Sequence, residues 1–264
     1  MDVVDPTYYF SYTPVQVAPE VLAGVFVLIS GVLCAQTVRT HGPRWLLLLS
    51  ATAMGEAIGY GFRTLCIYQT TKILFTLMTL FLLLPPNLLA LTNYKTLGAT
   101  IQQSPLMKTT DSPLILRRPR LITWTFAMSD AVSFFLQAAG VAISTQDGKR
   151  ELAKHTVLIG LVLQLVFFAG FLALAVGVVH SWRLGSVRKG PRDRSDKSAK
   201  RRLFTVIIAT TGLLYVRSAY RVAEFVGGYG SWVYRTEWMF YVCDAAMVLA
   251  SFGVYMTNFI GHHL

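Results

Sequence analysis

Apolar residues gather in seven long runs along the chain, near 19–38, 45–67, 73–97, 121–143, 156–180, 203–226 and 238–260, with polar or charged residues between them. A helix needs roughly 20 apolar residues to cross about 30 Å of hydrocarbon. The pattern therefore predicts an all-α, polytopic membrane protein, residues 1–264 forming a single seven-helix transmembrane bundle. The first 18 residues include Asp2, Asp5, Pro6 and Pro14 and lack the basic start and apolar core of a cleavable signal, so the first run is expected to stay as an anchor. Pro85-Pro86 interrupts the third run and predicts a kink there, tolerable if neighbours satisfy the carbonyls that proline leaves without a donor.

Composition agrees with the pattern. Of 264 residues 54% are hydrophobic and only 14% charged, against roughly a quarter in soluble globular chains, which excludes a soluble enzyme. The net charge of +11 in so apolar a chain points to basic loops at the membrane surface and away from nucleic acid. Loops 1, 3 and 5 hold 15 of the 24 Lys and Arg residues, whereas loops 2, 4 and 6 hold 5 and the N-terminal segment none. Positive loops stay in the cytoplasm, so the N-terminus is expected outside and the C-terminus inside. Loop 5, residues 181–202, carries nine of these residues; it is expected to be a solvated topology signal, with anionic lipid headgroups as partners.

Charge also occurs at bilayer depth, where each ionisable side chain is costly and so a functional-site candidate. The second run carries Glu56, Tyr60 and Arg63, the sixth Arg217, Arg221 and Glu224 with Tyr220 beside them, and the seventh Glu237, Tyr241 and Asp244. Each triplet has the spacing i, i+4, i+7, one stripe of a helix. The fourth run adds Asp130, Ser133 and Gln137, and the fifth Gln164. Because lipid-facing charge is so costly, the stripes are expected to converge on one chamber in the outer half of the bilayer.

Three arginines in these runs face five carboxylates, which leaves two acids without an internal partner. Asp130 and Asp244 are the expected surplus. Buried surplus acids either hold a proton or bind a cation, so a proton relay and a site for an amine headgroup both fit, beside simple interhelical pairing that fixes helix register. Other features suggest no further chemistry. His41, His155 and His180 sit at run ends; Gly140, Gly160, Gly170 and Gly177 read as close-packing positions; Tyr8, Tyr9, Tyr12, Trp45, Trp182, Trp232 and Trp238 fit interfacial belts. The three cysteines lie in apolar runs without metal or disulfide spacing. No Walker-type loop is present, and no cofactor or metal is expected.

The same segments carry a resemblance. Gly55-Glu56-Ala57-Ile58-Gly59-Tyr60-Gly61-Phe62-Arg63 resembles the E-x-x-G-Y-x-x-R signature of the fungal RTA-like proteins, the lipid-translocating exporter family. Pro85-Pro86 with Tyr94, then Asp130, Ser133, Phe134, Gln137 and Gly140, then Gly160, Gln164 and Phe168 are similar to its next three helices. The densest likeness is Arg217-Ser218-Ala219-Tyr220-Arg221-Val222-Ala223-Glu224 with Gly227, Glu237, Tyr241 and Asp244. The chain departs from the family at Val15 and Gln36 and in its short end after Phe259. The resemblance implies a fungal multi-pass protein of the plasma membrane or endomembranes, associated with resistance to toxic lipophiles and with transport of sphingoid bases or other amphiphiles.

The expectation is thus a non-enzymatic membrane transporter or translocation factor whose partner is a lipid or amphiphilic small molecule with a cationic amine. Asp130, Glu237 and Asp244 would contact the amine, Arg63, Arg217 and Arg221 would hold the carboxylates, and Gln137 and Gln164 would add hydrogen bonds. A lipid-sensing seven-helix receptor is the alternative, and an intramembrane lipid-modifying enzyme a third reading of the same residues.

Overall fold

The computed structural model describes residues 14–102, 118–144, 149–188, 194–227, 232 and 236–259. Tyr8, Tyr9 and Tyr12 and the basic residues Lys108, Arg117, Lys189 and Arg192 lie outside them. The described residues form seven long helices: α1 (Val17–Arg39), α2 (Leu47–Tyr68), α3 (Lys72–Gln102), α4 (Pro119–Ser144), α5 (Arg150–Arg188), α6 (Arg194–Gly227) and α7. The last begins at Glu237–Phe240, passes through a π-helical turn at Tyr241–Ala245 and continues as Ala246–Thr257. No strand occurs among the described residues.

Six of these helices are long and apolar enough to cross a membrane. α2, at 22 residues, is not among the six. Its sequence contains Glu56 and Arg63 together with Gly55, Gly59 and Gly61, which lower its mean hydropathy, yet Glu56 and Arg63 are turned inward and buried. α5 and α6 overrun the apolar runs at both ends of the connection between them. Much of the segment 181–202 expected as a loop is therefore helical, with residues 189–193 outside the description. Lys, Arg and Ala favour helix, so the turns simply continue past the apolar stretch.

Each helix packs against its neighbour in sequence, and α3 also contacts α6 while α7 closes against α1. α6 is the most enclosed span and α1 the least. Two aromatic groups join the parts. Phe26 of α1 stacks on Tyr60 of α2 at 5.6 Å and meets Phe252 of α7 edge-on. Tyr94 of α3, Phe126 of α4 and Phe171 of α5 form the second, with Tyr94 and Phe171 centroids 4.5 Å apart. Leu28, Trp124, Phe135 and Val166 are exposed on the outer surface, as side chains facing lipid would be.

Close approach, and not flexibility, explains two of the four glycines expected at packing positions. A Cβ at Gly140 would lie 2.9 Å from the Ala153 carbonyl oxygen and from the Val157 backbone nitrogen, and one at Gly160 would lie 2.8 Å from the Ser133 carbonyl oxygen, so α4 and α5 interlock backbone to backbone. Gly170 and Gly177 correct that expectation: a Cβ at Gly170 meets only Phe126 at 3.9 Å, and one at Gly177 meets nothing within 4 Å.

Candidate functional site

α2, α6 and α7 bring their polar stripes together. Asp244, held in the π-helical turn, is at the centre: Arg221 donates to it twice, Nε to Oδ1 at 3.0 Å and Nη2 to Oδ2 at 2.9 Å, and Arg217 Nε lies 2.8 Å from Oδ1. Arg221 Nη1 also donates to Glu224 Oε2 at 3.1 Å. At the edge of the cluster Arg63 Nη2 donates to Glu237 Oε1 at 3.1 Å, where the Tyr241 hydroxyl donates as well, and the Val15 backbone N–H donates to Glu237 Oε2. The Phe240 ring lies under two guanidinium groups, 4.5 Å from Arg63 and 5.2 Å from Arg221.

The double proline meets this cluster. Pro86 has no N–H for the carbonyl of Leu82, four residues earlier, and Arg217 Nη2 donates to that oxygen at 2.9 Å. The expected remedy for an interrupted helix is thus provided by the next charged helix, and α3 continues helically from Lys72 to Gln102. A Cβ at Gly59 would stand 2.9 Å from Leu82 Cδ2, so glycine lets α2 reach this stretch of α3.

A cleft of about 90 Å³ opens where α2 and α6 end and α7 begins. Arg63, Arg221, Glu224 and Glu237 line it alongside Phe75, Met78, Leu82, Phe225 and Phe240. It presents both signs of charge on an apolar wall.

Two expectations are corrected. Asp244 is not a surplus acid but the most fully paired one, because the π-helical turn sets it between two arginines. Nor does one chamber hold every polar residue. Asp130 accepts a hydrogen bond from Tyr94 at 2.7 Å, Gln137 Nε2 donates to Gln164 Oε1 at 2.9 Å, and Gln164 Nε2 donates to Asn87 Oδ1 at 2.6 Å. Of the candidate residues only Arg63, Arg221, Glu224 and Glu237 line the cleft: Glu56, Tyr60, Arg217, Tyr220, Tyr241 and Asp244 are not part of its lining, and Asp130, Gln137 and Gln164 are turned away from it, since the stripe of α4 faces α3 and α5.

The acids with a free oxygen are Glu56 and Asp130: Glu56 Oε1 and Asp130 Oδ1 are buried with no hydrogen-bond partner among the described residues. The Tyr60 and Tyr220 hydroxyls are in the same condition. Glu56 has Arg217, Asp244 and Arg221 as charged neighbours, so the α2, α6 and α7 cluster contains three guanidinium groups and four carboxylates, Glu56 being the excess.

Sequence reasoning passed over the uncharged members. Asn87 lies seven residues before Tyr94, on the same stripe of α3, and that spacing could have revealed it. A third knot ties α3, α6 and α7: Asn93 donates to Thr211 at 3.2 Å and accepts from Thr210 at 3.0 Å and from the Tyr255 hydroxyl. Removing the Tyr94 hydroxyl with Tyr94→Phe leaves Asp130 with neither oxygen bonded. Such a loss costs about 1–3 kcal/mol, and a lower melting temperature in detergent would register it.

Comparison with known proteins places these stripes in a wider set. Three proteins of Saccharomyces cerevisiae are similar to this chain: Protein RTM1, 29% identical over 86% of this chain and 71% of its own length; Protoporphyrin uptake protein 1, 28% identical over 78% and 66%; and Protein RTA1, 27% identical over 72% and 57%. The chain spans less than two thirds of the length of the last two. No solved structure matches it significantly. The family model described as RTA1 like protein matches residues 49–264, an interval that contains all three charged stripes, the double proline and the α4–α5 interlock. This chain is an integral, multi-pass membrane protein that belongs to the RTA1-like family.

Proposed function

We propose that the protein carries amphiphiles across the membrane, and that it binds an amine-bearing lipophile of the sphingoid-base kind through the α2, α6 and α7 cluster. One observation carries this reading: Glu56, buried on α2, keeps an oxygen without a hydrogen-bond partner among the described residues in a cluster with one carboxylate more than its guanidinium groups. An ammonium group would supply the missing charge and donate to that oxygen, with the unpartnered Tyr60 hydroxyl one turn away as a second acceptor. Arg217 and Arg221 hold Asp244 in place; Glu56 and Tyr60 are not among the residues that line the cleft, so the ammonium would pass beyond that lining to reach them while the apolar wall takes the start of the hydrocarbon chain.

All seven helices cross the bilayer in this account, α2 shielded by its neighbours, with the N-terminus outside. The cleft then opens toward the outer leaflet, and the basic residues between α5 and α6 meet anionic headgroups on the cytoplasmic side. A relative whose name is Protoporphyrin uptake protein 1 supports movement of a solute over sensing. The protein acts as a carrier and not as an enzyme, so the lipids offered to it should return with unchanged mass. Reconstitution into liposomes is the test. A carrier moves a fluorescent long-chain amine between leaflets; a receptor-like sensor, the second reading for such a helix bundle, moves none.

A further inference from the structure

On the other side of α3, away from the charged cluster, a groove of about 320 Å³ runs between α3 and α4. Its wall is almost wholly apolar, built from Leu84, Leu88, Leu91, Ala131 and Phe134, and it faces lipid, because Phe135 on its rim is 69% exposed. Two polar side chains interrupt that wall, Asp130 and Asn87. Asp130 is 4% exposed and Asn87 8%, and each keeps one atom without a hydrogen-bond partner among the described residues: Asp130 Oδ1, an acceptor, and Asn87 Nδ2, a donor. Asp130 Oδ2 and Asn87 Oδ1 are occupied, accepting from Tyr94 and Gln164 respectively. Both residues sit near the middle of their helices, where hydrocarbon is thickest and a bare polar group is most costly.

We infer that this groove is a second, membrane-open binding site, and that it takes an uncharged lipid by its hydroxyl group. A hydroxyl both donates and accepts, so it can donate a hydrogen bond to Asp130 Oδ1 and accept one from the N–H of Asn87. An ammonium has donors only and would face the amide N–H₂ unmatched; an anion would face the carboxyl. A hydroxyl moving through the middle of the bilayer finds in the groove the partners that hydrocarbon lacks, while the chain lies along α3 and α4. The site does not depend on the Glu56 reading, since it uses neither that residue nor the cleft.

The test is photolabelling of the whole protein in lipid nanodiscs with a long-chain fatty alcohol bearing a diazirine next to the hydroxyl end, followed by peptide mass spectrometry. Label is expected on α3 and α4 around Leu88, Leu91 and Phe134, at about fivefold the yield given by the matching diazirine alkane, the weight of one hydrogen bond. Ala131→Phe fills the groove without touching the polar pair and should abolish the excess. Equal labelling by alkane and alcohol would overturn the inference even if no variant folds, and so would stronger labelling by the fatty amine or undiminished labelling in Ala131→Phe. Glu56→Gln should leave the pattern unchanged, which separates a failure of this site from a failure of the carrier reading.

Discussion

Asp244→Asn is expected to destabilise the folded protein by about 3–5 kcal/mol, the usual consequence of removing one partner from a buried ion pair. Asp244 receives two hydrogen bonds from Arg221 and lies 2.8 Å from Arg217, so the neutral amide leaves two guanidinium groups in the bundle interior with too little negative charge. The effect should reach α3 as well, because the same Arg217 donates to the Leu82 carbonyl that Pro86 leaves without a donor. Thermal unfolding in detergent, followed by loss of the monodisperse peak, measures the change. Arg217→Met combined with Asp244→Asn removes one of the stranded charges and should recover part of the loss. If the single variant melts with the wild type, Asp244 does not organise the cluster.

Gly160→Leu should damage the fold to a comparable degree by a different route. The site of a Cβ at Gly160 is 2.8 Å from the Ser133 carbonyl oxygen and 3.0 Å from Gln137 Cγ, backbone and an enclosed side chain that have no room to retreat. Overpacking of this kind costs about 1–3 kcal/mol where neighbours can shift, and here α5 must separate from α4. Separation would also pull apart the Gln137–Gln164–Asn87 chain, since Gln137 is one of the atoms displaced. Gly177→Leu is the control: nothing lies within 4 Å of its Cβ position, and its melting temperature should stay near that of the wild type. Melting curves of the two variants side by side decide the matter.

These two sites mark how far the sequence could be read. Hydropathy marks the ends of α1, α2, α4 and α7 to within about three residues, because membrane crossing imposes a length and an apolar composition on a segment, whereas α3, α5 and α6 run further than their apolar stretches. The stripes on α2, α6 and α7 were legible for a related reason: charge is so costly in the bilayer that regular spacing must mean an inward face. Pairing was not legible. An ideal helix places Glu237, Tyr241 and Asp244 on one line, but the π-helical turn at Tyr241–Ala245 widens α7 just where Asp244 enters, and hydropathy has no signal for it. Charge counting along the sequence therefore points to Asp244 as a surplus acid, whereas in the fold it is the best paired one and Glu56 is the acid of this cluster with a buried oxygen that has no hydrogen-bond partner among the described residues.

Direction of the α4 stripe was hidden too. Asp130, Ser133 and Gln137 share a face, but periodicity cannot say which neighbour that face meets, and in the fold it meets α3 and α5. The glycines of α4 and α5 behave the same way: the residues look alike in sequence, and only Gly140 and Gly160 lie where two backbones cross. Asn93, Thr210 and Tyr255 carry no charge and form no stripe of charged residues that would single them out, and Asn87 is marked only by its seven-residue spacing from Tyr94.

The most direct test of the carrier account is the rate at which proteoliposomes containing the wild type or Glu56→Gln move a fluorescent long-chain amine between leaflets. Glutamine keeps the shape of the side chain and removes the charge that an ammonium would meet. The account predicts movement above that of protein-free liposomes for the wild type and a loss of about tenfold or more for Glu56→Gln, the scale of a charge-assisted hydrogen bond, with equal amounts of folded protein. Equal rates for the two proteins would contradict it.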